Sequence, residues 1–214
     1  MTAGNRLRAG VLVLAFSLIL CSPRPALCLY GNRDAGKEDV EAKPTRVKLH
    51  DLALLDQDGR KHRFASEVVG DRIVVIDTIF TTCGLICPIL SSIFMDLQDE
   101  LGGLLGKEVV LVSISVDPVT DIPPRLKEYA QKWKAGPGWL FLTGEKQTVD
   151  RVLDGLGLYT ADYAAHPSMI LVGDGRSGTW TRFYGFASPG QLKEKIQEMR
   201  ARSRKGAPKE KARP

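Results

Sequence analysis

The sequence predicts an α/β domain with helices covering a central mixed sheet, and three observations carry that prediction. The runs at 72–80 and 109–116 are β-branched and aliphatic with little polar alternation, as in strands buried on both faces. Other segments repeat apolar residues every three or four positions, the period of a helix with one buried face. Along the chain the two kinds of segment follow one another as hairpin, β, α, β, α, β, α, β, β, α.

The elements follow in order. In residues 1–28, Arg6 and Arg8 precede an apolar run over 9–21, the plan of a secretory signal. That run is shorter than the ~20 residues that span ~30 Å of hydrocarbon. Ala26-Leu27-Cys28 offers a small-x-small cleavage site; an uncleaved anchor or a lipoprotein box ending at Cys21 are the alternatives. Residues 29–43 are polar and lack periodicity, which predicts a linker, and the domain is expected over 44–199.

Within it, 47–55 and 61–64 flank the turn signal Asp56-Gln57-Asp58-Gly59 and predict an N-terminal β-hairpin. Pro88, Ile89, Leu90, Ile93, Phe94, Leu97 and Leu101 mark a helix that stops at Gly102-Gly103. Asp121 is expected to cap a helix with two prolines in its first turn, running to about Trp133. A strand at 139–143, a helix at 145–156 and a hairpin of 168–172 with 180–184 come next. Ser188, Pro189 and Gln191 form a capping signature for a last helix to Met199. Residues 200–214 are rich in Lys, Arg, Pro and Ala and predict a basic disordered tail.

The composition, 43% hydrophobic and 26% charged over 214 residues, is that of a soluble globular domain and excludes fibrous or wholly disordered classes. The formal charge of +5 comes from the two ends. Between 29 and 199 there are 20 basic and 24 acidic residues, so no nucleic-acid partner is expected. Association of the basic tail with anionic lipid or an acidic partner is the sharper alternative to a solvated end.

Cys21 and Cys28 lie in the expected signal, which leaves Cys83 and Cys87 as one close pair. A bridge across so short a loop restrains little of the unfolded chain, so the pair is chemical rather than a disulfide scaffold. Both follow a strand and meet a helix start, where amides and the helix dipole favour thiolates. Residues i and i+4 on a helix have Cβ atoms about 5–6 Å apart. Two thiolates sharing a metal at ~2.3 Å lie roughly 4 Å apart, so CxxxC suits a bridging metal at least as well as a disulfide. Soft thiolates favour Cu(I) or zinc, and a third ligand is needed. His50 and His62 belong to the hairpin and have weak claims; His166, ahead of the strand at 168–172, is the third histidine.

The segments Phe80-Thr-Thr-Cys-Gly-Leu-Ile-Cys-Pro88, Val112-Ser-Ile-Ser-Val-Asp-Pro118 with Asp121, Leu126 and Tyr129, and His166 before Met169-Ile-Leu-Val172 together resemble the Sco/SenC family. That resemblance implies a thioredoxin-like fold and a copper protein that helps build the copper centre of cytochrome c oxidase. It implies copper, as Cu(I) or Cu(II), on Cys83, Cys87 and His166, with Pro167 as the cis proline of the fold. Gly84, Ala165 and Pro167 depart from the family's usual residues, and none of them is a ligand. Asp162 or Asp117 could replace the missing acidic neighbour of the histidine, and Met169 is expected in the core rather than on the metal.

The expected function is a copper metallochaperone whose partners are a copper-accepting subunit of cytochrome c oxidase or another cuproprotein, and a thiol reductant. The alternative is a thiol–disulfide oxidoreductase in which Cys83 and Cys87 are a redox-active pair. A thiol peroxidase or a catalytic zinc site is a weaker reading. Export points to the periplasm, with the mitochondrial intermembrane space as the alternative.

Overall fold

Strand Ile73–Ile79 (β4) is buried at every position, which fits its unbroken β-branched composition, and it organises the domain. The computed structural model describes residues 40–162 and 167–206 of the chain. In order, the elements are β1 (Glu41–Thr45), β2 (Ala53–Leu55), β3 (Lys61–Arg63), a π-type turn Phe64–Val69, β4, α1 (Ile86–Leu101), β5 (Val109–Ser115), α2 (Pro123–Lys132), β6 (Trp139–Leu142), α3 (Lys146–Leu156), β7 (Met169–Asp174), β8 (Thr179–Tyr184) and α4 (Pro189–Gly206). Six strands form one mixed sheet in the order β1-β8-β7-β4-β5-β6, and β2 pairs with β3 separately. The pairs β4–β5 and β5–β6 are parallel; β4–β7, β7–β8 and β1–β8 are antiparallel.

Side chains alternate across β4 with the two-residue period of a strand. Ile73, Val75 and Ile79 join Leu90, Phe94 and Leu97 of α1, Leu126 of α2, and Leu192 and Ile196 of α4 in one apolar layer. Val74 and Ile76 face the other layer, with Val149, Val152, Leu153 and Leu156 of α3, Leu54 of β2 and Phe64 of the π-type turn. Asp77 falls in the first register, between Val75 and Ile79, so it points to the α1 side. The ends of β4 and β5 lie at one edge of the sheet, and the parallel register Ile79↔Ser115 places the loops that follow them side by side.

Several boundaries differ from those expected. Residues 41–43, assigned to the linker by composition, are part of β1, because they find a partner in β8, with Glu41 opposite Tyr184 and Thr45 opposite Trp180. The first hairpin strand is shorter than expected, since 47–52 runs irregularly over the α3 layer, with the Lys48 amide bonded to the Gly155 carbonyl at 2.7 Å. Asp121 does not cap α2. Ile122, extended at φ −69° and ψ 160° before Pro123, occupies that position, and Asp121 turns inward. Ser188 and Gln191 do form the reciprocal cap, each amide bonded to the other's side-chain oxygen at 2.9 and 3.3 Å.

Helix α4 continues to Gly206, so 200–206 is not a disordered tail. Arg200 makes two hydrogen bonds to Glu108, at 2.9 and 3.1 Å, and Ser203 donates to Asp174. Those partners are remote in sequence, so composition gives no sign of them. Residues 207–214, the expected signal and most of the expected linker lie outside the described residues.

Candidate metal centre

Cys83 sits in the loop that leaves β4, and its amide donates to the Phe80 carbonyl at 3.1 Å, closing a tight turn. Helix α1 starts at Ile86, two residues before Pro88, so Cys87 lies in its first turn and Cys83 just ahead of it. Leu85, at the helix cap, provides no side-chain hydrogen bond. A sulfur does that work instead: the Cys87 amide points at Cys83 Sγ at 3.4 Å. Both cysteines are free thiols, Cys83 half-buried and Cys87 fully buried.

The environment drives the two sulfurs apart. Burial pushes the Cys83 thiol up, but hydrogen bonds from the Cys87 amide and side chain and from the amides of Leu85 and Ile86 outweigh it, and its pKa falls below the ordinary value. Cys87 moves up, first because it is buried and then because it donates to Cys83; the Phe80 amide offsets this only in part. The reduced pair is therefore one thiolate-prone sulfur hydrogen-bonded by one thiol.

Under this pair lies a carboxyl group not singled out from sequence. Asp77 is fully buried and neither of its oxygens has a hydrogen-bond partner. Burial raises its pKa to about 7, and the nearby Ser113 hydroxyl, at the paired position of β5 and engaged by the Trp139 indole rather than hydrogen-bonded to Asp77, offsets that only in part. Its ionised form and that of Cys87 oppose one another. The signal was available: a carboxylate inside an aliphatic strand buried on both faces needs an explanation. Around it, Tyr129 shares a 2.9 Å hydrogen bond with Ser91, and the Trp139 indole donates to Ser113 at 3.0 Å.

Asp121 fixes the cysteine loop. It is fully buried, and its carboxylate accepts from the Thr81 amide at 3.1 and 3.2 Å, from the Thr81 hydroxyl at 2.5 Å and from the Ser115 hydroxyl at 2.7 Å. The loop after β4 is thereby tied to β5 and to the start of α2.

The structure brings Cys83 and Cys87 together and leaves His50 and His62 elsewhere. His62 Nε2 is 2.8 Å from Asp56 Oδ2 in the β2–β3 hairpin, a structural pairing, and His50 packs against Gly155 of α3. His166 and its bond to Pro167 lie outside the described residues. Strand β7, which begins three residues after His166, runs antiparallel to β4 with Leu171 opposite Ile76, so it starts at the edge where β4 ends. Among the described residues no group of three His, Cys, Asp or Glu side chains is assembled around a metal position. Asp117 accepts from the Thr120 amide at 3.4 Å, and Met169 packs against the α3 layer as expected. Two close sulfurs, one already inclined to the thiolate, are a donor set for a soft, thiophilic ion.

The sequence model of the family described as SCO1/SenC matches residues 41–201. A Stutzerimonas stutzeri protein, named as a candidate copper-binding protein, is 30% identical over 154 residues, which are 72% of this chain and 72% of that one. The SCO1 protein homologue of Bacillus subtilis is 32% identical over 106 residues, 49% of this chain and 53% of the relative. Among solved structures, a SCO1/SenC family lipoprotein from Bacillus anthracis superposes with a TM-score of 0.61 at 24% identity, covering 74% of this chain and 96% of its own. Yeast Sco1 with copper bound gives a TM-score of 0.60 at 22% identity, over 79% of this chain and 99% of its own. Among the described residues no helix is long and apolar enough to cross a membrane.

Proposed function

This chain belongs to the SCO1/SenC family and has its thioredoxin-like fold, and from that premise we propose that it is an exported copper carrier. Copper is the cargo, held by Cys83, Cys87 and His166 and passed by ligand exchange to the copper centre of cytochrome c oxidase. The observation that carries the reading is the unequal thiol pair at the start of α1, with Cys83 Sγ 3.4 Å from the Cys87 amide. A lowered Cys83 thiol gives up its proton to an incoming metal more readily than an ordinary thiol. Cys87 gives up its proton only when a metal takes that proton's place, which makes loading pH-dependent and allows release when an acceptor's sulfurs compete. No covalent bond of a substrate is broken.

The test is a titration of the reduced chain with Cu(I) and with Cu(II), repeated on His166→Ala and Cys87→Ser. Stoichiometric binding weakened by both substitutions is expected; negligible binding by the unsubstituted chain sinks the proposal.

The same asymmetry is also chemically sufficient for a second reading, thiol–disulfide exchange. The Cys83 thiolate would attack an acceptor disulfide, releasing one acceptor thiolate and forming a mixed disulfide. Cys87 would then displace the second acceptor sulfur and leave the chain oxidised, so a thiol reductant must restore it. His166 has no part in that sequence, and undiminished exchange by His166→Ala without any copper binding would favour it over the carrier.

A further inference from the structure

We propose that the thiol edge carries a docking surface for an acidic, apolar-flanked segment of the copper acceptor, formed by two loops joined through Asp121 and by a cationic cleft on α2. The proposal rests on the copper-carrier reading and names the chemistry of that carrier's partner.

Six large hydrophobic side chains are exposed among the described residues, and four of them belong to the cysteine loop with its helix start and to the loop tied to it through Asp121. Leu85 and Ile89, 80% and 47% exposed, belong to the loop and first turn that hold the thiols. Val119 and Ile122, 73% and 50% exposed, belong to the loop after β5. Single exposed apolar residues are ordinary, but a group on adjoining loops around a reactive centre is the mark of an interaction site. The bonds from Thr81 to Asp121 make the two loops one body, so little ordering is needed when a partner covers them.

Beside them is an open cleft of about 210 Å³ whose walls include Thr81 and, from α2, Arg125, Glu128 and Lys132. Its floor is Tyr129, whose hydroxyl reaches Ser91, one turn beyond Cys87. The charges in the cleft are two cations and one carboxylate. Neither cation forms an ion pair with another described residue, although Lys132 lies 5.7 Å from the centre of the Trp133 ring.

Arg125 is the informative one. It stands in the first turn of α2 (Pro123–Lys132), where the helix dipole disfavours a cation and no acidic residue balances it within that turn, and it makes no ion pair with Glu128 of the same cleft. An unpaired cation on the wrong end of its helix, beside the cysteine loop, is explained by an anion that arrives with the partner. An acidic side chain seated there, with apolar neighbours over Val119 and Leu85, would bring a cysteine-bearing segment against Cys83.

The test uses the full, reduced, metal-free chain, isotopically labelled for amide spectra. Three synthetic peptides share one cysteine pair and the same apolar flanks and carry Glu, Gln or Lys at the flanking charged positions. The Glu peptide is expected to bind about 5- to 10-fold more tightly than the Gln peptide, the scale of two rim charges, and the Lys peptide more weakly still. The shifted amides should include Thr81, Leu85, Val119 and Ile122. The double variant Arg125→Gln, Lys132→Gln should lose the preference while its copper titration and unfolding temperature stay unchanged.

Equal affinity for the three peptides, or a preference that survives in the double variant, overturns the proposal. So does an anionic phosphatidylserine vesicle that binds through Arg125 and Lys132 when the Glu peptide does not. Because the peptide preference is read without metal, a chain that fails to bind copper defeats the carrier reading while the surface is still judged on its own result.

Discussion

The two edges of the six-stranded sheet treat buried charge in opposite ways. At the edge away from the cysteines, Asp174 accepts from the Arg176 amide and the Ser177 hydroxyl, each at 3.0 Å, and from Ser203. Glu108 takes two hydrogen bonds from Arg200, and Arg72 donates to the Val68 carbonyl at 2.7 Å. At the thiol edge Asp77 has no partner for either oxygen, Cys87 is held as a buried thiol, and α1 begins without a side-chain oxygen at its cap. At the far edge the buried carboxylate of Asp174 is satisfied; at the thiol edge that of Asp121 is satisfied and that of Asp77, within a few residues of the cysteines, is not. Such local conflicts are expected where a fold keeps groups ready for chemistry.

The largest effect should come from breaking the unsatisfied edge at its sulfur. Cys83→Ser replaces by a hydroxyl the sulfur that is proposed as a ligand and that accepts from the Cys87 amide. Stoichiometric copper binding should be lost, with affinity down by more than ~100-fold, beyond what loss of an outer-shell partner costs. Glu108→Gln, at the satisfied edge, should leave the same copper titration unchanged.

Second in size is the pH response of Asp77 in the metal-free chain. Its folded pKa is raised to about 7 from 3.8, so between those values the folded state holds a proton that the unfolded state has released. Stability therefore falls as pH rises through that window, by on the order of 4 kcal/mol for a shift of about three units. Asp77→Asn should flatten denaturant midpoints between pH 4 and pH 7; a variant that keeps the decline would place its source in another group.

Asp121 comes third and joins the two behaviours, because it is buried like Asp77 but fully hydrogen-bonded like Asp174. Asp121→Ala leaves the Thr81 amide and the Ser115 hydroxyl without their acceptor and should cost about 3 kcal/mol in urea unfolding. It should also lower copper affinity, since the cysteine loop loses its tie to β5. Unchanged copper affinity together with the full stability loss would reduce Asp121 to a purely structural role.

The contrast between the edges was only partly legible in the sequence. The strands β4 and β5 and the helix behind the cysteines follow from aliphatic runs and a 3.6-residue period, both local signals. The Ser188–Gln191 cap, likewise local, is found as its residues indicate. What escaped depends on partners distant along the chain. The strand at Glu41–Thr45 looks polar because β8 supplies its hydrogen bonds and its side chains stay exposed. Asp121 resembles a cap until Thr81, forty residues earlier, competes for it. Arg200 resembles a solvated tail until Glu108 is beside it. Within the site, the cysteine pair was legible from spacing alone, while the unequal acidity of its two members depends on burial and on amides that no spacing specifies.

The smallest effect belongs to the satisfied edge. Arg200 is one-fifth exposed and Glu108 two-fifths, so water screens their paired hydrogen bonds. Arg200→Ala should lower the unfolding temperature by about 2 °C or less and should not alter copper binding. The Arg200 guanidinium, more than burial opposes it, holds the Glu108 carboxyl below its ordinary value of 4.5. The unfolded chain therefore binds more protons than the folded one in that range, and this pair's contribution is present above pH 4.5 and lost as pH falls through the lowered folded value. Scans of the variant and the unsubstituted chain should separate above pH 4.5 and converge as pH falls below it, a slope opposite to that of Asp77. Equal slopes at Glu108 and Asp77 would mean that the two edges do not differ in how they hold charge.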